Sequence, residues 1–168
     1  ALPTGVGKTE AVAAAAARLG DGQPKIAYIA PSAMVRVQAE AALKRRLPSA
    51  AVQFVNPSLR ISWSDAADAI DENRPFIALI DADLYSATSF SMELESIVAD
   101  FMDHIDVLIL DEATDVCRRL GLLGESLDTP PRVWGMDATF NAIDLCGLND
   151  ISFLRQRFPD SVAEIGRA

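Results

Sequence analysis

The sequence predicts an α/β domain of three layers: a mostly parallel central sheet with helices on both faces. Three observations predict it. Short, wholly apolar runs rich in β-branched residues recur along the chain and alternate with helix-like stretches. That is the pattern of strands buried on both faces and joined by crossover helices. A glycine-rich turn at 4–9 runs straight into a helix, and one apolar run ends in two adjacent acids, Asp111 and Glu112. In open α/β sheets the carboxyl ends of strands are where ligands sit.

The elements follow in order. A helix is predicted over 9–19 and is stopped by "GDG"; "KIAYIAP" (25–31) reads as a buried strand. A helix over 33–47 ends before Pro48, since proline and glycine end helices by ordinary backbone chemistry. "AVQFV" (51–55) is a strand, 63–73 a helix, "PFIALID" (75–81) a strand and 90–102 a helix. "DVLILDE" (106–112) is the strand that carries the acidic pair, and a helix over 113–123 follows. "GLLGESLDTPPR" (121–132) reads as an exposed loop, "RVWGMDA" (132–138) as a strand and 142–158 as a helix. "SVAEI" (161–165) is a further strand candidate. There is no internal repeat, low-complexity tract or long linker, so residues 1–168 are expected to form a single domain.

Composition narrows the function. Half of the residues are apolar and about a quarter are charged, as in soluble globular proteins. No apolar run approaches the roughly 18 to 20 residues that span a bilayer, and "AVAAAAARLG" is interrupted by Arg18. No membrane partner is expected. With no secretory pattern at the N-terminus, and with Cys117, Cys146 and His104 in no metal-ligand spacing, the expected compartment is a reducing, cytoplasmic one. The net charge of −9 argues against tight nucleic-acid binding by phosphate neutralisation alone. It leaves room for backbone contacts or for the local basic cluster of Arg36, Lys44, Arg45 and Arg46. The same cluster is equally the polar face and basic end of a helix.

Residues 4–9, T-G-V-G-K-T, form the short version of a phosphate-binding loop. Glycines let successive backbone N–H groups face the β- and γ-phosphates, Lys8 supplies a point charge, and the Thr9 hydroxyl holds Mg²⁺. The helix that opens there adds its positive dipole end. The longer pattern has glycine where this chain has Leu2. The expected ATP contacts are Pro3, Thr4, Gly5, Val6, Gly7, Lys8, Thr9 and Glu10. Downstream, Asp111 suits Mg²⁺ held through water, and Glu112 suits orientation and deprotonation of the attacking water. Adjacent acids also make a solvated helix start. Coming after a phosphate loop, the pair reads as metal and catalysis, with Lys8 and Glu112 as the catalytic residues.

With these motifs in place, the chain resembles the first RecA-like domain of superfamily two helicases and translocases, the group that includes the DEAD-box and DEAH-box enzymes. "PTGVGKT" is similar to their motif I and "LDEAT" to motif II, with Thr114 in its variable last place. "APSAMVRVQ" (30–38) resembles motif Ia at Pro31, Ser32 and Gln38, and departs from it at Ala33, Met34 and Arg36. "GMDAT" (135–139) falls where motif III belongs; Ala138 and Thr139 match, and Asp137 stands where serine is usual. An aspartate there resembles the replication-origin-binding branch. "ADLYSATS" (82–89) corresponds to motif Ib by position only.

The resemblance implies a RecA-like P-loop NTPase that uses ATP and Mg²⁺. It implies nucleic-acid contact through Pro31, Ser32, Arg36 and Gln38, and coupling of nucleotide state to strand grip through Asp137, Ala138 and Thr139. The implied partner is single- or double-stranded nucleic acid, DNA favoured over RNA, in replication or repair. It also implies a central strand ahead of motif I, here missing, and a second RecA-like domain beyond residue 168. The chain alone is then expected to bind ATP with little or no turnover. Two other readings stay open: a P-loop ATPase switch or assembly factor that never engages nucleic acid, and an inactive remnant.

Overall fold

The computed structural model describes residues 7–88, 91–113, 115–116 and 132–136. Helix α1 (Lys8–Ala16) is followed by a 3-10 turn (Gly20–Gly22), strand β1 (Lys25–Ala30), helix α2 (Ala33–Arg46), β2 (Ala51–Phe54) and α3 (Arg60–Asp71). Then come β3 (Phe76–Asp81), α4 (Ala82–Ala87), α5 (Met92–His104), β4 (Val107–Asp111) and β5 (Arg132–Met136). The five strands form one sheet in the order β2-β3-β1-β4-β5, with every pairing parallel. The predicted fold class is thus observed.

Side-chain alternation explains the layers. Along β1, Ala27 and Ile29 face one side, while Ile26, Tyr28 and Ala30 face the other. The first set joins Phe76, Ala78, Ile80, Leu108 and Leu110 under α3 and α5. There Trp63 stacks at a tilt on Phe101, with ring centroids 5.5 Å apart, and Phe76 meets Phe101 edge-on at 6.4 Å. Such aromatic pairs each add about 0.5–1.5 kcal/mol beyond area burial. The second set joins Ile77, Leu79, Val107 and Ile109 under α1 and α2, which contribute Ala13, Ala16, Ala39 and Leu43. Alanines on the facing sides of α1 and α2 let the two helices lie close together.

Helix α1 ends at Ala16, short of the expected 19, and two helix starts and one further helix also differ from expectation. Helix α3 begins three residues before Trp63, at Arg60, because a tight turn precedes it: Asn56 Oδ1 accepts from both the N–H and the hydroxyl of Ser58. Helix α5 starts at Met92, where the Ser91 hydroxyl accepts the Leu94 N–H and caps the first turn. Helix α4 was not expected, since six residues are too few to show a period. The backbone is helical at Ala113, Asp115 and Val116, as predicted. The predicted elements at 142–158 and 161–165, and all of the loop 121–132 except Arg132, lie outside the described residues.

Strands β3, β1 and β4 each have a neighbour on both sides. Among the described strands, β2 and β5 form the two edges.

Candidate active site

The connection out of β1 leads towards β2 on one side, and the connection out of β4 leads to β5 on the other. The crevice between β1 and β4 is thus a topological switch point, the place where parallel α/β sheets take ligands. Two potential ligand-binding ends meet there.

The first is the start of α1. Gly7 caps it in the left-handed region, at φ 68° and ψ 31°, a conformation that side chains other than glycine resist. The Ala11 N–H donates to the Gly7 carbonyl at 2.9 Å, so the amides of Lys8, Thr9 and Glu10 precede the first intrahelical bond. The Lys8 Nζ is buried and has no hydrogen-bond partner among the described residues. A buried ammonium without an acceptor is unfavourable, and an anion at this helix end removes the penalty. A nucleotide phosphate fits that requirement.

The second end is the close of β4. Asp111 is only 7% exposed. Its Oδ2 accepts from the Tyr28 hydroxyl at 2.7 Å, and its Oδ1 accepts the Glu112 N–H at 3.0 Å. Burial is the main influence that raises the Tyr28 phenol above its ordinary range. The charge and hydrogen bond of Asp111 add to the rise, and the Thr9 hydroxyl opposes it. Glu112 is half-buried and has φ 50°, a left-handed residue that is not glycine. Backbone strain of this kind costs about 1–3 kcal/mol and concentrates at functional positions. The Asp115 and Val116 N–H groups donate to the Glu112 carbonyl at 2.9 and 3.1 Å and stabilise the turn.

Among the described residues, no group of three or more His, Cys, Asp and Glu side chains is placed to hold a metal ion. Thr9 and Asp111 offer one hydroxyl and one carboxylate. Such hard oxygen donors suit a Mg²⁺ carried on nucleotide phosphates.

The remaining expected residues divide. Pro31 and Ser32 follow β1, half-buried at the carboxyl edge of the sheet, with Ser32 capping α2; Gln38 is exposed on α2. Arg36 is turned inward. Its Nε donates to Asp81 Oδ1 at 2.7 Å, its guanidinium lies 4.0 Å above the Phe54 ring, and its side chain is 14% exposed. The Glu10 carboxylate is held by Arg45 and Arg46 at the end of α2, with Arg46 Nε 2.7 Å from Oε2. These hydrogen bonds hold the Glu10 carboxyl below its usual range, and only its backbone amide remains for the phosphate end. Lys44 pairs with Glu40 at 2.6 Å. Pro3, Thr4, Gly5, Val6, Asp137, Ala138 and Thr139 lie outside the described residues.

Sequence reasoning missed Tyr28 and Asp81. A signal existed for Tyr28: it is the only polar-tipped side chain between Ile26 and Ala30. A strand places its parity on the face that α1 covers.

A helix N-terminus whose lysine has no hydrogen-bond partner among the described residues, together with a buried strand-end aspartate, fits a P-loop nucleotide-binding α/β domain. Residues 1–140 match the family model described as DEAD/DEAH box helicase, and the chain belongs to that family. It is a helicase-type ATP-binding domain of RecA-like fold, from a family that uses ATP with Mg²⁺. A comparison with curated proteins finds no match. Among the described residues, no helix is long and apolar enough to cross a membrane.

Proposed function

We propose that this chain is the ATP-binding half of a cytoplasmic helicase or translocase motor, which works with a second RecA-like domain on DNA in preference to RNA, in replication or repair. The observation that carries the reading is the buried Lys8 ammonium at the start of α1, without a hydrogen-bond partner among the described residues. Bound ATP supplies a γ-phosphoryl group for transfer to water, with Mg²⁺ neutralising its charge. Lys8 and the first amides of α1 hold the phosphates. Thr9 and Asp111 hold the ion, Asp111 through water. Glu112, next in the chain, orients the attacking water and takes its proton.

Pro31, Ser32 and Gln38 meet the nucleic-acid backbone at the carboxyl edge of the sheet. Arg36 serves that surface indirectly, by anchoring α2 to β3. The coupling role stays with Asp137, Ala138 and Thr139. They follow Met136, which pairs in register with Asp111.

One observation favours a second reading, an ATPase switch that does not engage nucleic acid. Arg36, Lys44, Arg45 and Arg46 are each paired with a carboxylate, so the basic cluster is largely neutralised.

Calorimetric titration with Mg²⁺ and a non-hydrolysable ATP analogue tests the nucleotide site. Saturable binding is expected in the wild type and none in Lys8→Ala. Glu112→Gln is expected to bind normally and, in a protein that also carries the second RecA-like domain, to lower ATP turnover by about 10²-fold or more. Equal loss of binding in both variants refutes the separate roles. Stimulation of turnover by single-stranded nucleic acid decides between motor and switch.

A further inference from the structure

The proposed chemistry leaves Tyr28 unused, although this side chain is 0% exposed and ends in a hydroxyl. A phenylalanine would fill the same volume in the layer between the sheet and α1. A hydroxyl taken out of water is unfavourable unless it is used, and here it is used on Asp111.

Tyr28 lies on β1 in register with Ile109 of β4. Its parity sends the ring towards α1, and its hydroxyl reaches Asp111 two residues further along the neighbouring strand, donating to Oδ2 at 2.7 Å. The Glu112 N–H takes the other oxygen at 3.0 Å. With one donor on each oxygen, the carboxylate plane cannot turn freely, yet each oxygen keeps acceptor capacity for a further partner. The Thr9 hydroxyl, at the start of α1, bears on the same phenol. Tyr28 thus holds one of the two groups that the proposed function assigns to the ion and lies within electrostatic reach of the other. Both donors on Asp111 are neutral, so its charge remains available to a cation.

The geometry points to Tyr28 as a positioning residue that sets the Asp111 carboxylate, relative to Thr9, for a divalent cation carried by a nucleotide. The role rests on the reading given under Proposed function. In established metal sites, removing an outer partner that orients a ligand lowers metal affinity by about 10–100-fold.

The test compares wild type, Tyr28→Phe, Asp111→Asn and the double variant in titrations with a non-hydrolysable ATP analogue, once with Mg²⁺ and once with EDTA. Tyr28→Phe is expected to weaken binding about tenfold in Mg²⁺, to leave binding in EDTA unchanged, and to add nothing on the Asp111→Asn background. Unchanged binding in Mg²⁺ overturns the role, and so does an equal loss in both buffers, which marks a merely structural residue.

Amide hydrogen exchange at Glu112, without nucleotide, gives a second readout. Tyr28→Phe is expected to speed exchange there and to leave the interior of β1 protected. Unchanged exchange at Glu112 also overturns the proposal. Wild-type protein that binds no nucleotide in either buffer refutes the proposed function and the metal role with it. The exchange measurement then still decides whether Tyr28 holds Asp111.

Discussion

Asp81 and Asp111 close two strands that flank β1 on opposite sides. Ile29 pairs with Ile80 in one direction and with Leu110 in the other, so both aspartates leave the sheet at the level of Ala30. Both fall on the parity that faces α1 and α2, and both are buried. Their partners differ in kind. Asp81 is matched by a full positive charge from Arg36, itself braced on Phe54. Asp111 receives only neutral donors, Tyr28 and the Glu112 amide, and among the described residues no ion pair reaches it. A carboxylate whose charge is already compensated belongs to the scaffold. One oriented by dipoles, with its charge uncompensated, is the one to which we assign a cation. Burial alone would have ranked the two as equals.

Breaking the compensated acid should have the larger effect on stability. Asp81→Ala leaves the Arg36 guanidinium buried without its partner, and losses of this kind are about 3–5 kcal/mol. Equilibrium denaturation in urea measures it, and a loss below about 1 kcal/mol would place Asp81 among surface ion pairs. The double replacement Arg36→Met with Asp81→Leu is expected to recover most of the stability, because it removes both charges together.

Asp111→Asn should do the opposite. The amide oxygen can accept the Glu112 N–H while the amide NH2 donates to the Tyr28 hydroxyl oxygen, and no buried cation is orphaned, so stability is expected to change by less than about 1 kcal/mol. The dependence of nucleotide binding on Mg²⁺ should disappear. A large destabilisation by this variant would collapse the distinction between the two acids.

The smallest effect is expected at the exposed clamp between Glu10 and the end of α2. Arg45 and Arg46 lower the Glu10 carboxyl below its ordinary 4.5. The linked stability is therefore present above that value and is lost as the pH falls through the lowered one. Glu10→Gln should flatten the acid limb of a stability–pH curve slightly and leave the neutral region nearly unchanged. Added salt should shrink the difference further.

Much of the molecule was legible in the chain because its signals are local. "KIAYIA", "FIALID" and "VLILD" are apolar at successive positions, as strands covered on both faces must be. The Gly20 and Pro48 stops lie just beyond the observed ends of α1 and α2. Gly7, Lys8 and Thr9 were singled out by spacing, and Asp111 and Glu112 by their place at the end of an apolar run. Helix α4 escaped notice because it is shorter than two turns. The pairing of Arg36 was not legible, for a different reason. As part of a basic cluster it reads as a surface for phosphate, and its actual partner lies forty-five residues away on β3.

The sequence by itself determined the alternation of strands and helices, their approximate bounds, the order of the motifs and the residue types in the nucleotide site. Each depends on neighbours within a few positions, through backbone sterics, hydrophobic period and turn chemistry. Tertiary structure alone decided which charges meet. Strand β1 lies between β3 and β4, neither adjacent to it along the chain. That order brings Arg36 to Asp81, and it brings Tyr28 to Asp111 across eighty-three residues. Parallel register then sets both acids at one height, and only the pairing across the sheet separates the acid matched by a guanidinium from the acid held by neutral donors.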